Sequence, residues 1–467
     1  ARNAARDFSK RIPKIQKFTV PTKNADTKRR ATMKKKVNVI GAGLAGCEAA
    51  WQLASRGIEV NLFDMKPHKF SPAHKSENLC ELVCSNSFKA DRIDSAAGLL
   101  KEELRILNSI VIKCADNCRV PAGGALAVDR DKFSSMVTEK IKNHPLINYI
   151  SEEVENFSEE DITIIATGPL TSEKLSKTIS KICGNALSFF DAAAPIITFE
   201  SIDMSNAYFK SRYDKGNGDD YLNCPLSKDE YINFYSELIS AKRAPLHDVD
   251  VQNPKVYEGC MPVEIMAQRG EGTLRFGPMK PVGLRDPKTG ESPYAVVQLR
   301  KENKEGTLYN MVGFQTNLKF PEQRRVFGMI PALKNAEFVR YGVMHRNTFI
   351  NSPKLLNSSF NMKEIPNLFF AGQITGVEGY MESVSSGLIA GINAARKFAG
   401  ENLVSLPDFT MIGALEKYIS SEDIVDFQPM GANFGILPPL TEKIKDKKLR
   451  YAKLSDRALE YIKNLKI

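Results

Sequence analysis

The sequence predicts an α/β fold in which a domain of the two-dinucleotide-fold type, beginning with a β-α-β unit, is split by a smaller α/β insertion. The first observation is a strand, a glycine turn, a helix and a second strand between residues 37 and 64. The second is a pair of later strands that each run into a glycine turn, at 161–168 and 367–372. The third is a mixed pattern with frequent turn signals between those two strands.

These patterns divide the chain into four predicted segments. Residues 33–199 form the first part of the split domain, 200–345 form the inserted domain, and 346–467 complete the split domain. Residues 1–32 are predicted to be a disordered basic arm, because they lack hydrophobic periodicity. The arm is a transit peptide, a nucleic-acid-binding tail, or sequence upstream of a native start at Met33.

Composition narrows the class of protein. The chain has 467 residues, 42% hydrophobic and 26% charged, which excludes a disordered chain, a collagen and a disulfide-rich scaffold. No apolar run approaches the ~18 residues of a membrane helix, so no membrane span is expected. Thirteen basic and two acidic residues at 1–36 account for the net charge of +10. The remaining 52 basic and 53 acidic residues nearly cancel, so any nucleic-acid site must be a local patch.

The first unit carries the pattern of dinucleotide-binding folds. The apolar run Val37–Ile40 leads into a glycine turn, whose residues are Gly41, Ala42, Gly43, Leu44, Ala45 and Gly46. Glycines at this spacing allow a tight turn and let the backbone approach a pyrophosphate at the helix N-terminus. The second strand ends at Asp64, whose carboxylate is expected to accept hydrogen bonds from a ribose.

The two later glycine turns indicate which dinucleotide is bound. One strand runs into Thr167 and Gly168, and another runs into Gly372 and Gln373. A helix rich in small residues is predicted to follow from Gly387. Since this arrangement resembles that of two-dinucleotide-fold flavoproteins, the preferred cofactor is FAD rather than NAD.

The chain contains eight cysteines, at positions 47, 80, 84, 114, 118, 183, 224 and 260. They form no C-x2-C pair and have no supporting His or carboxylate grouping, so no metal site is expected. Unpaired cysteines suit a reducing compartment and predict a cytoplasmic protein. Cys84 is either a buried small side chain or, with Cys80, a dithiol that exchanges electrons with a flavin.

Cys260 is the second cysteine with a suggestive setting. A glycine precedes it and a proline follows two residues later, which predicts an accessible turn where a thiolate could be a nucleophile. The cations Arg269, Arg275 and Lys280 follow. The segment 275–284 also holds two glycines and two prolines, and this rigid basic loop suits folate glutamate, a nicotinamide phosphate or RNA phosphate. A packed cysteine and a plain surface loop are the alternatives.

Together these motifs are specific enough to identify a family. From Met33 onward, over about 400 residues, the chain resembles the folate- and FAD-dependent RNA uracil-5-methyltransferases. Besides the glycine turn, the resemblance rests on the blocks 82–87, 120–130, 258–264, 275–280, 342–348 and 371–383. The last block is shared with a sister family that modifies the wobble uridine of tRNA; members of that family are longer, and their helical C-terminal domain is not expected here.

The resemblance implies methylation of C5 of a uridine in RNA. The one-carbon donor would be 5,10-methylenetetrahydrofolate, the reductant NADH or NADPH, and the carrier of the methylene group a reduced flavin. A cysteine thiolate that adds to uracil C6 would make C5 reactive. The family motifs place Cys260 as this nucleophile and Cys84 beside the flavin, although their roles could be reversed. Glu264 is the suggested base for the C5 proton.

The remaining site residues are implied by the same motifs. Glu382 and Ser383 are expected to contact the flavin end of FAD. The side chains expected to contact the RNA are Arg269, Arg275, Lys280, His345 and Arg346. Asp64 stands where the family usually has Glu, and the same ribose contact is expected from it. The target base is expected to be extruded from its stack to reach the flavin.

The expected substrate is uridine 54 in the T loop of tRNA. A uridine of 23S ribosomal RNA is the alternative, because the same catalytic residues would serve it. Two other functions stay open: a flavin–dithiol oxidoreductase, which would need Cys80, and a non-catalytic RNA-binding flavoprotein, which would tolerate loss of Cys260. The choice of hydride donor and the oligomeric state are left open by the sequence.

Overall fold

The computed structural model of the protein describes residues 36–184, 187–245, 261–424 and 427–465, with the backbone alone at 187–191 and 345–346. The predicted arm and Cys260 therefore lie outside the described residues. The strands are Val37–Ile40 (β1), Val60–Asp64 (β2), Ser87–Ala90 (β3), Arg119–Val120 (β4), Ala125–Val128 (β5), Ile147–Ser151 (β6), Thr163–Ile165 (β7), Leu187–Ala192 (β8), Ile196–Thr198 (β9), Tyr208–Phe209 (β10), Tyr221–Leu226 (β11), Ala295–Lys301 (β12), Leu308–Met311 (β13), Phe338–Arg340 (β14), Met344–Phe349 (β15) and Leu368–Phe370 (β16).

The α-helices surround and connect these strands. They are Leu44–Ala54 (α1), Ala96–Ile106 (α2), Ile110–Asn117 (α3), Arg130–Lys142 (α4), Glu173–Cys183 (α5), Lys228–Ser240 (α6), Val263–Ala267 (α7), Thr273–Phe276 (α8), Phe320–Phe327 (α9), Ser352–Leu355 (α10), Tyr380–Ala399 (α11), Met411–Ser420 (α12) and Lys447–Asn464 (α13). None of the described helices is long and apolar enough to cross a membrane.

A five-stranded parallel sheet forms the centre of the larger layer, in the order β16-β7-β1-β2-β6. Val39 of the middle strand lies opposite Leu62 on one side and Ile164 on the other. Such apolar strands are typical of a parallel sheet that is covered on both faces. The sheet combines strands from 37–165 with one strand at 368–370, so segments on either side of the second sheet in the sequence meet in one layer.

The second large sheet lies between those two contributions in the sequence. It has six strands in the order β10-β11-β12-β13-β9-β14, and all of its pairings are antiparallel. Helix α6 and helix α9 pack on it around a separate hydrophobic core. The predicted α/β class is confirmed by this pair of sheets. Strand β9 already belongs to the second sheet, although it precedes residue 200.

Helices α1 and α11 pack against each other without space for larger side chains. A Cβ atom on Gly387 would lie 2.2 Å from the carbonyl oxygen of Ala45, and one on Gly391 would lie 2.8 Å from that of Ala49. The two helices run in the same direction, because a step of four residues along α11, from Gly387 to Gly391, corresponds to a step of four residues along α1, from Ala45 to Ala49. Their close approach brings the N-terminus of α1 beside the first turns of α11.

The start of α11 differs from the prediction. The helix predicted from Gly387 begins at Tyr380, directly after Gly379, whose φ is +131°. Its first two turns bury the polar residues Glu382, Ser385 and Ser386. Met381 and Val384 lie three residues apart and are buried, but three polar residues are buried with them, so the hydrophobic pattern at the helix start is weak.

Buried carboxylates hold other parts of the larger layer together. Glu103 of α2 accepts hydrogen bonds from the backbone N–H groups of Met411 (2.7 Å) and Ile412 (2.9 Å) at the start of α12. Burial raises the pKa of Glu103 to about 8. Glu416 lies near it, and burial raises the pKa of that carboxyl as well. This contact joins segments more than 300 residues apart.

Candidate active site

The glycine turn after β1 has the geometry of a phosphate cradle. Gly41 has a φ of +101°, and a Cβ atom on Gly46 would lie 1.7 Å from the Gly41 carbonyl oxygen, so both positions require glycine. At Gly43 no atom lies within 4 Å of the Cβ position, and no side chain caps the helix that starts there. The backbone N–H groups of this helix N-terminus are therefore open to an anionic ligand.

Asp64 is held against this turn at the end of β2. One carboxylate oxygen accepts a hydrogen bond from the Ala42 N–H (2.8 Å), and the other accepts one from the Lys66 N–H (2.9 Å). A carboxylate has about four acceptor sites, so lone pairs remain for ribose hydroxyls. The contact of Asp64 with a ribose stays a prediction.

A cleft, here called the cofactor cleft, runs from Asp64 past the glycine turn. It has about 640 Å³ of empty space, part of it open to solvent. Its lining includes Gly41, Ala42, Gly43, Asp64, Lys66, His74, Thr167 and Thr171. The Thr167 and Thr171 hydroxyls lie 2.6 Å apart, and burial lowers the pKa of His74. Gly168, with a φ of +65°, turns the chain after Thr167.

The C-terminal glycine turn closes the other end of the same region. The Gly372 N–H donates to the Ser386 hydroxyl (2.7 Å), and a Cβ atom on Gly372 would lie 3.1 Å from the Ala45 Cβ. The Gln373 side-chain amide donates to Glu378 (2.5 Å). The N-termini of α1 and α11 therefore approach one region, where both helix dipoles favour negative charge.

Glu382 and Ser383, predicted to contact the cofactor, lie in the first turn of α11. The Glu382 carboxylate is only 2% exposed and accepts hydrogen bonds from the Lys89 ammonium (3.1 Å) and the Ala432 N–H (3.0 Å). The Ser383 N–H donates to the Gly379 carbonyl. Both residues are thus engaged in holding the helix start in place, and their contact with a cofactor stays a prediction.

The loop 82–86, called the Cys84 loop below, is attached to α11 by a tyrosine. The Tyr380 hydroxyl accepts hydrogen bonds from the backbone N–H groups of Cys84 (2.9 Å) and Ser85 (3.1 Å). The Cys84 thiol is partly exposed and lies 3.8 Å from the Ala192 carbonyl oxygen. Burial raises the pKa of Tyr380, and the nearby Cys84 acts in the same direction.

Arginines from distant elements hold the rest of this loop. Arg130 donates to the Leu82 carbonyl and Arg340 donates to the Val83 carbonyl. Arg130 also pairs with Glu302 at 3.0 Å, which offsets one of these positive charges.

Arg300 of β12 completes the attachment, donating to the Ser85 hydroxyl (2.9 Å) and the Asn86 side-chain oxygen (3.0 Å). The Cys84 thiol thus sits in a rigid loop with a local excess of positive charge.

Glu264, the predicted base, is fully buried in α7. Its two carboxylate oxygens accept hydrogen bonds from the Thr316 hydroxyl and the Asn317 N–H, both at 2.8 Å. Burial raises its pKa. Cys260 lies outside the described residues, but Val263, three residues later, donates to the Gln315 carbonyl at 2.7 Å. These contacts tie the segment after Cys260 to residues 315–317.

The predicted RNA-contacting cations have different settings. Arg275 donates to the Tyr294 carbonyl (2.9 Å), and its guanidinium lies 3.6 Å from the centre of the Tyr294 ring. Arg269 is exposed and Lys280 is partly exposed. Arg275 therefore packs on its own domain instead of projecting from it.

His345 and Arg346 lie on β15, opposite Asp191 and Phe190 of β8. Only the backbone of these residues is described, so their predicted contact with RNA stays untested by the geometry.

The dithiol alternative finds no support in the geometry. Cys80 is 1% exposed, and burial together with its neighbour Cys47 raises its thiol pKa well above the usual value. Every cysteine in the described residues is free. Among those residues, no group of three or more His, Cys, Asp or Glu side chains could hold a metal ion. The expected absence of a metal in the whole protein stays a prediction.

Sequence reasoning missed the residues that hold the Cys84 loop. Tyr380 and Arg130 lie inside blocks that the family resemblance uses, but their roles were not anticipated. Arg300 and Arg340 lie in the insertion, far from the loop in sequence, and no local pattern marks them. These two arginines reach the Cys84 loop from strands of the second sheet, so their contacts depend on the packing of that sheet against the loop.

Comparisons with known proteins agree with this architecture. The model of the family described as glucose inhibited division protein A (GIDA) matches residues 36–402. Solved structures of the Aquifex aeolicus GidA are similar in fold: one gives a TM-score of 0.65 at 17% identity and covers 93% of this chain and 75% of the other.

Curated relatives are much closer in sequence. Methylenetetrahydrofolate–tRNA-(uracil-5-)-methyltransferase TrmFO of Acetivibrio thermocellus is 62% identical over 91% of this chain and 98% of its own length. The protein of the same name from Ligilactobacillus salivarius is 57% identical over 93% and 99%. The predicted resemblance is confirmed: the chain belongs to the GIDA family and, within it, to the methylenetetrahydrofolate–tRNA-(uracil-5-)-methyltransferases.

Proposed function

We propose that this protein methylates C5 of a uridine in tRNA, using FAD, 5,10-methylenetetrahydrofolate and NADH or NADPH. The observation that carries the proposal is the meeting of the open Gly43 turn, the Gly372 turn and the Cys84 loop at the starts of α1 and α11. Membership of a family whose relatives are named for this reaction gives the substrate class.

The residues present fit FAD. Gly43 leaves space where a Cβ atom would obstruct a pyrophosphate, and Asp64 keeps lone pairs for a ribose in the cofactor cleft. The Gly372 turn and the start of α11 lie where the flavin end would follow. When bound, FAD supplies the two-electron chemistry and carries the one-carbon unit. The protein supplies donors, positive helix ends and a fixed pocket.

Cys260 is the proposed nucleophile. Its thiolate adds to C6 of the uracil, and the electron pair of the C5–C6 bond then makes C5 the attacking atom. After the new carbon–carbon bond forms, a base would take the C5 proton as the bond from the one-carbon unit to its carrier breaks, which leaves a methylene group on C5. A hydride, supplied ultimately by NADH or NADPH, would add to this methylene to give the methyl group as the C6–sulfur bond breaks and the thiolate is released. Cys84 is the alternative nucleophile, and its partly exposed thiol with nearby arginines keeps that alternative open.

Glu264 is better suited to holding the segment after Cys260 than to taking a proton. Each of its oxygens accepts one hydrogen bond, from Thr316 or Asn317, and the side chain is fully buried, unlike Asp64, which lines an open cleft. We therefore assign it to positioning and leave the base for the C5 proton unassigned.

The relatives' names favour tRNA over 23S ribosomal RNA as the substrate. Uridine 54 of the T loop is the specific target that we propose. It is stacked within a folded loop, so it must be extruded to reach the Cys84 loop, at a cost of a few kcal/mol. A cytoplasmic location belongs to the same proposal, because unmodified tRNA and reduced folate would have to meet the enzyme there.

One experiment tests the reaction and the nucleophile together. The purified protein is incubated with labelled 5,10-methylenetetrahydrofolate, NADPH and transcripts of either tRNA or 23S ribosomal RNA, and 5-methyluridine is mapped. We expect label in tRNA only, lost with Cys260→Ser and retained with Cys183→Ser, a control at a partly buried cysteine. Label in neither RNA from the unaltered protein would refute the proposed function.

A further inference from the structure

Three aromatic rings form a stack at one edge of the second sheet, which is exposed at its Phe320 end and partly buried at Phe338 and Tyr341. The Phe320 and Tyr341 rings lie 4.7 Å apart and 14° from parallel, and the Phe338 and Tyr341 rings lie 5.2 Å apart and 8° from parallel. We call this set the aromatic column. Phe320 stands at one end and is 50% exposed.

The position of the column is unusual for aromatic side chains that serve only packing. β14, which starts with Phe338, is an edge strand of the second sheet, and Val339 beside it is 56% exposed. Phe320 is the first residue of α9 and takes no part in the hydrophobic core beneath that helix. An exposed ring that is already stacked on a second ring offers a flat, dry surface to a further ring.

Cations border the column. Lys319 is exposed next to Phe320, and Arg324 donates to the Tyr341 hydroxyl at 2.6 Å. Arg325 is paired with Glu322 at 2.7 Å and also with Glu237, so its charge is offset. The surface therefore combines an aromatic face with positive charge, which suits a polyanion whose units are flat rings.

The column is fixed to the candidate active site. Arg340, between Phe338 and Tyr341 in the chain, donates to the carbonyl of Val83, the residue before Cys84. The Gln323 side chain of α9 both donates to and accepts from the Gly342 backbone, each at 2.8 Å. An arginine side chain and two residues of backbone span roughly 15 Å at most, which sets an upper limit on the distance between the column and the Cys84 loop. About two nucleotides of extended RNA could bridge that distance.

We propose that the aromatic column is a stacking platform for an unpaired base of the RNA substrate, one that neighbours the target uridine. Lys319 and Arg324 would hold the phosphates on either side of that base. The inference rests on the proposed function and adds a second recognition point, outside the pocket that takes the uridine itself. It uses residues of the inserted domain to position RNA for chemistry in the other domain.

The test compares three substitutions at the exposed end of the column. Phe320→Ala and Phe320→Leu remove the ring, whereas Phe320→Trp keeps one. We expect the two ring-less variants to weaken binding of the tRNA transcript about five- to tenfold, by filter binding at fixed salt, and Phe320→Trp to bind as the unaltered protein does. Phe398→Ala, a 37% exposed phenylalanine in the last turn of α11, is the matched control and should change nothing.

Further measurements separate stacking from folding. In the ring-less variants, FAD content, thermal midpoint and NADPH oxidation without RNA should be unchanged, while KM for tRNA rises and kcat stays within about twofold. Arg324→Ala should lower the affinity for tRNA. It should also reduce the slope of the logarithm of that affinity against the logarithm of salt concentration by about one, the value for one phosphate contact.

Specific results would overturn the inference. Equal affinity in all Phe320 variants, or equal weakening by Leu and Trp, excludes stacking. A dimer that dissociates on Phe320→Ala with unchanged RNA affinity would make the column a self-association surface. If the unaltered protein methylates tRNA and Phe320→Ala does so equally well at limiting tRNA, this inference alone fails. If the unaltered protein neither binds nor methylates RNA, the proposed function fails with it.

Discussion

The glycine turn at 41–46 and the Cys84 loop are held in place by different means. In the turn, the tightest contact is local: the Cβ position of Gly46 lies 1.7 Å from the carbonyl oxygen of Gly41, five residues away, although Gly41 itself also packs on the carbonyl of Ala166. The Cys84 loop instead depends on Tyr380 and three arginines, each bonded to a loop residue 48 or more positions away along the chain. A cofactor cradle can therefore be recognised from a short motif, whereas the placement of the reactive thiol is a property of the assembled fold.

The largest effect is expected within the turn itself. Gly46→Ala places a Cβ atom 1.7 Å from a carbonyl oxygen, so the turn must shift, and we expect the apoprotein to lose about 3 kcal/mol in urea unfolding. Gly43→Ala meets no protein atom within 4 Å, so its apoprotein should unfold normally but bind FAD at least tenfold more weakly in a fluorescence titration. If Gly46→Ala and Gly43→Ala destabilised the apoprotein equally, the assignment of Gly46 to packing and of Gly43 to ligand approach would be wrong.

Tyr380→Phe tests the long-range attachment of the loop. Two backbone N–H groups lose their acceptor, at a cost of about 1–3 kcal/mol if no water replaces it. We expect methyl transfer to fall about tenfold in kcat while FAD stays bound, because the thiol is displaced rather than removed. Tyr461→Phe, at a 37% exposed tyrosine, is the control. Unchanged kcat in Tyr380→Phe would show that the loop holds its position without the hydroxyl.

The contact of Glu103 with α12 is a second long-range attachment, and we expect it to make the stability of the protein depend on pH. Its pKa is about 8 in the folded protein, against an ordinary value of 4.5, so between those limits the folded state keeps a proton that the unfolded chain has released. Stability therefore falls as pH rises through this window, with a slope of up to ~1.4 kcal/mol per pH unit. Glu416 should add to the slope.

Glu103→Gln should flatten that dependence in urea unfolding between pH 5 and 8. Glu364→Gln, at an exposed glutamate, should leave it as it is. If the free energy of unfolding depended on pH as strongly in Glu103→Gln as in the unaltered protein, a titratable group other than Glu103 would be responsible.

The smallest effect on activity is expected at Glu264. Glutamine can still accept from Asn317, so Glu264→Gln should keep methyl transfer within about threefold of the unaltered protein. Loss of a catalytic base typically costs 10²–10⁴-fold, so a fall of a hundredfold with intact folding would restore Glu264 as the base. Glu264→Ala leaves the Thr316 hydroxyl and Asn317 N–H unpaired and should cost about 2 kcal/mol of stability.

Much of the framework was determined by the sequence alone. The strand and glycine-turn pattern predicted the β-α-β unit that begins the parallel sheet, because the turn needs glycines at a fixed spacing, where Gly46 packs on the Gly41 carbonyl. Motif blocks predicted the family, which the comparisons confirmed. The ribose contact of Asp64 and the thiol chemistry of Cys260 were predicted from the same motifs and stay predictions.

The tertiary structure alone decided which residues surround the Cys84 thiol and where the aromatic column lies that we propose for RNA recognition. Arg340 meets Val83 across more than 250 residues, and Phe320 stacks on Tyr341 across a helix and a strand. The sequence pattern likewise did not predict the first two turns of α11 or the burial of Glu264. Such contacts join single side chains from different layers, and they leave no periodicity in the chain because each depends on how two sheets pack.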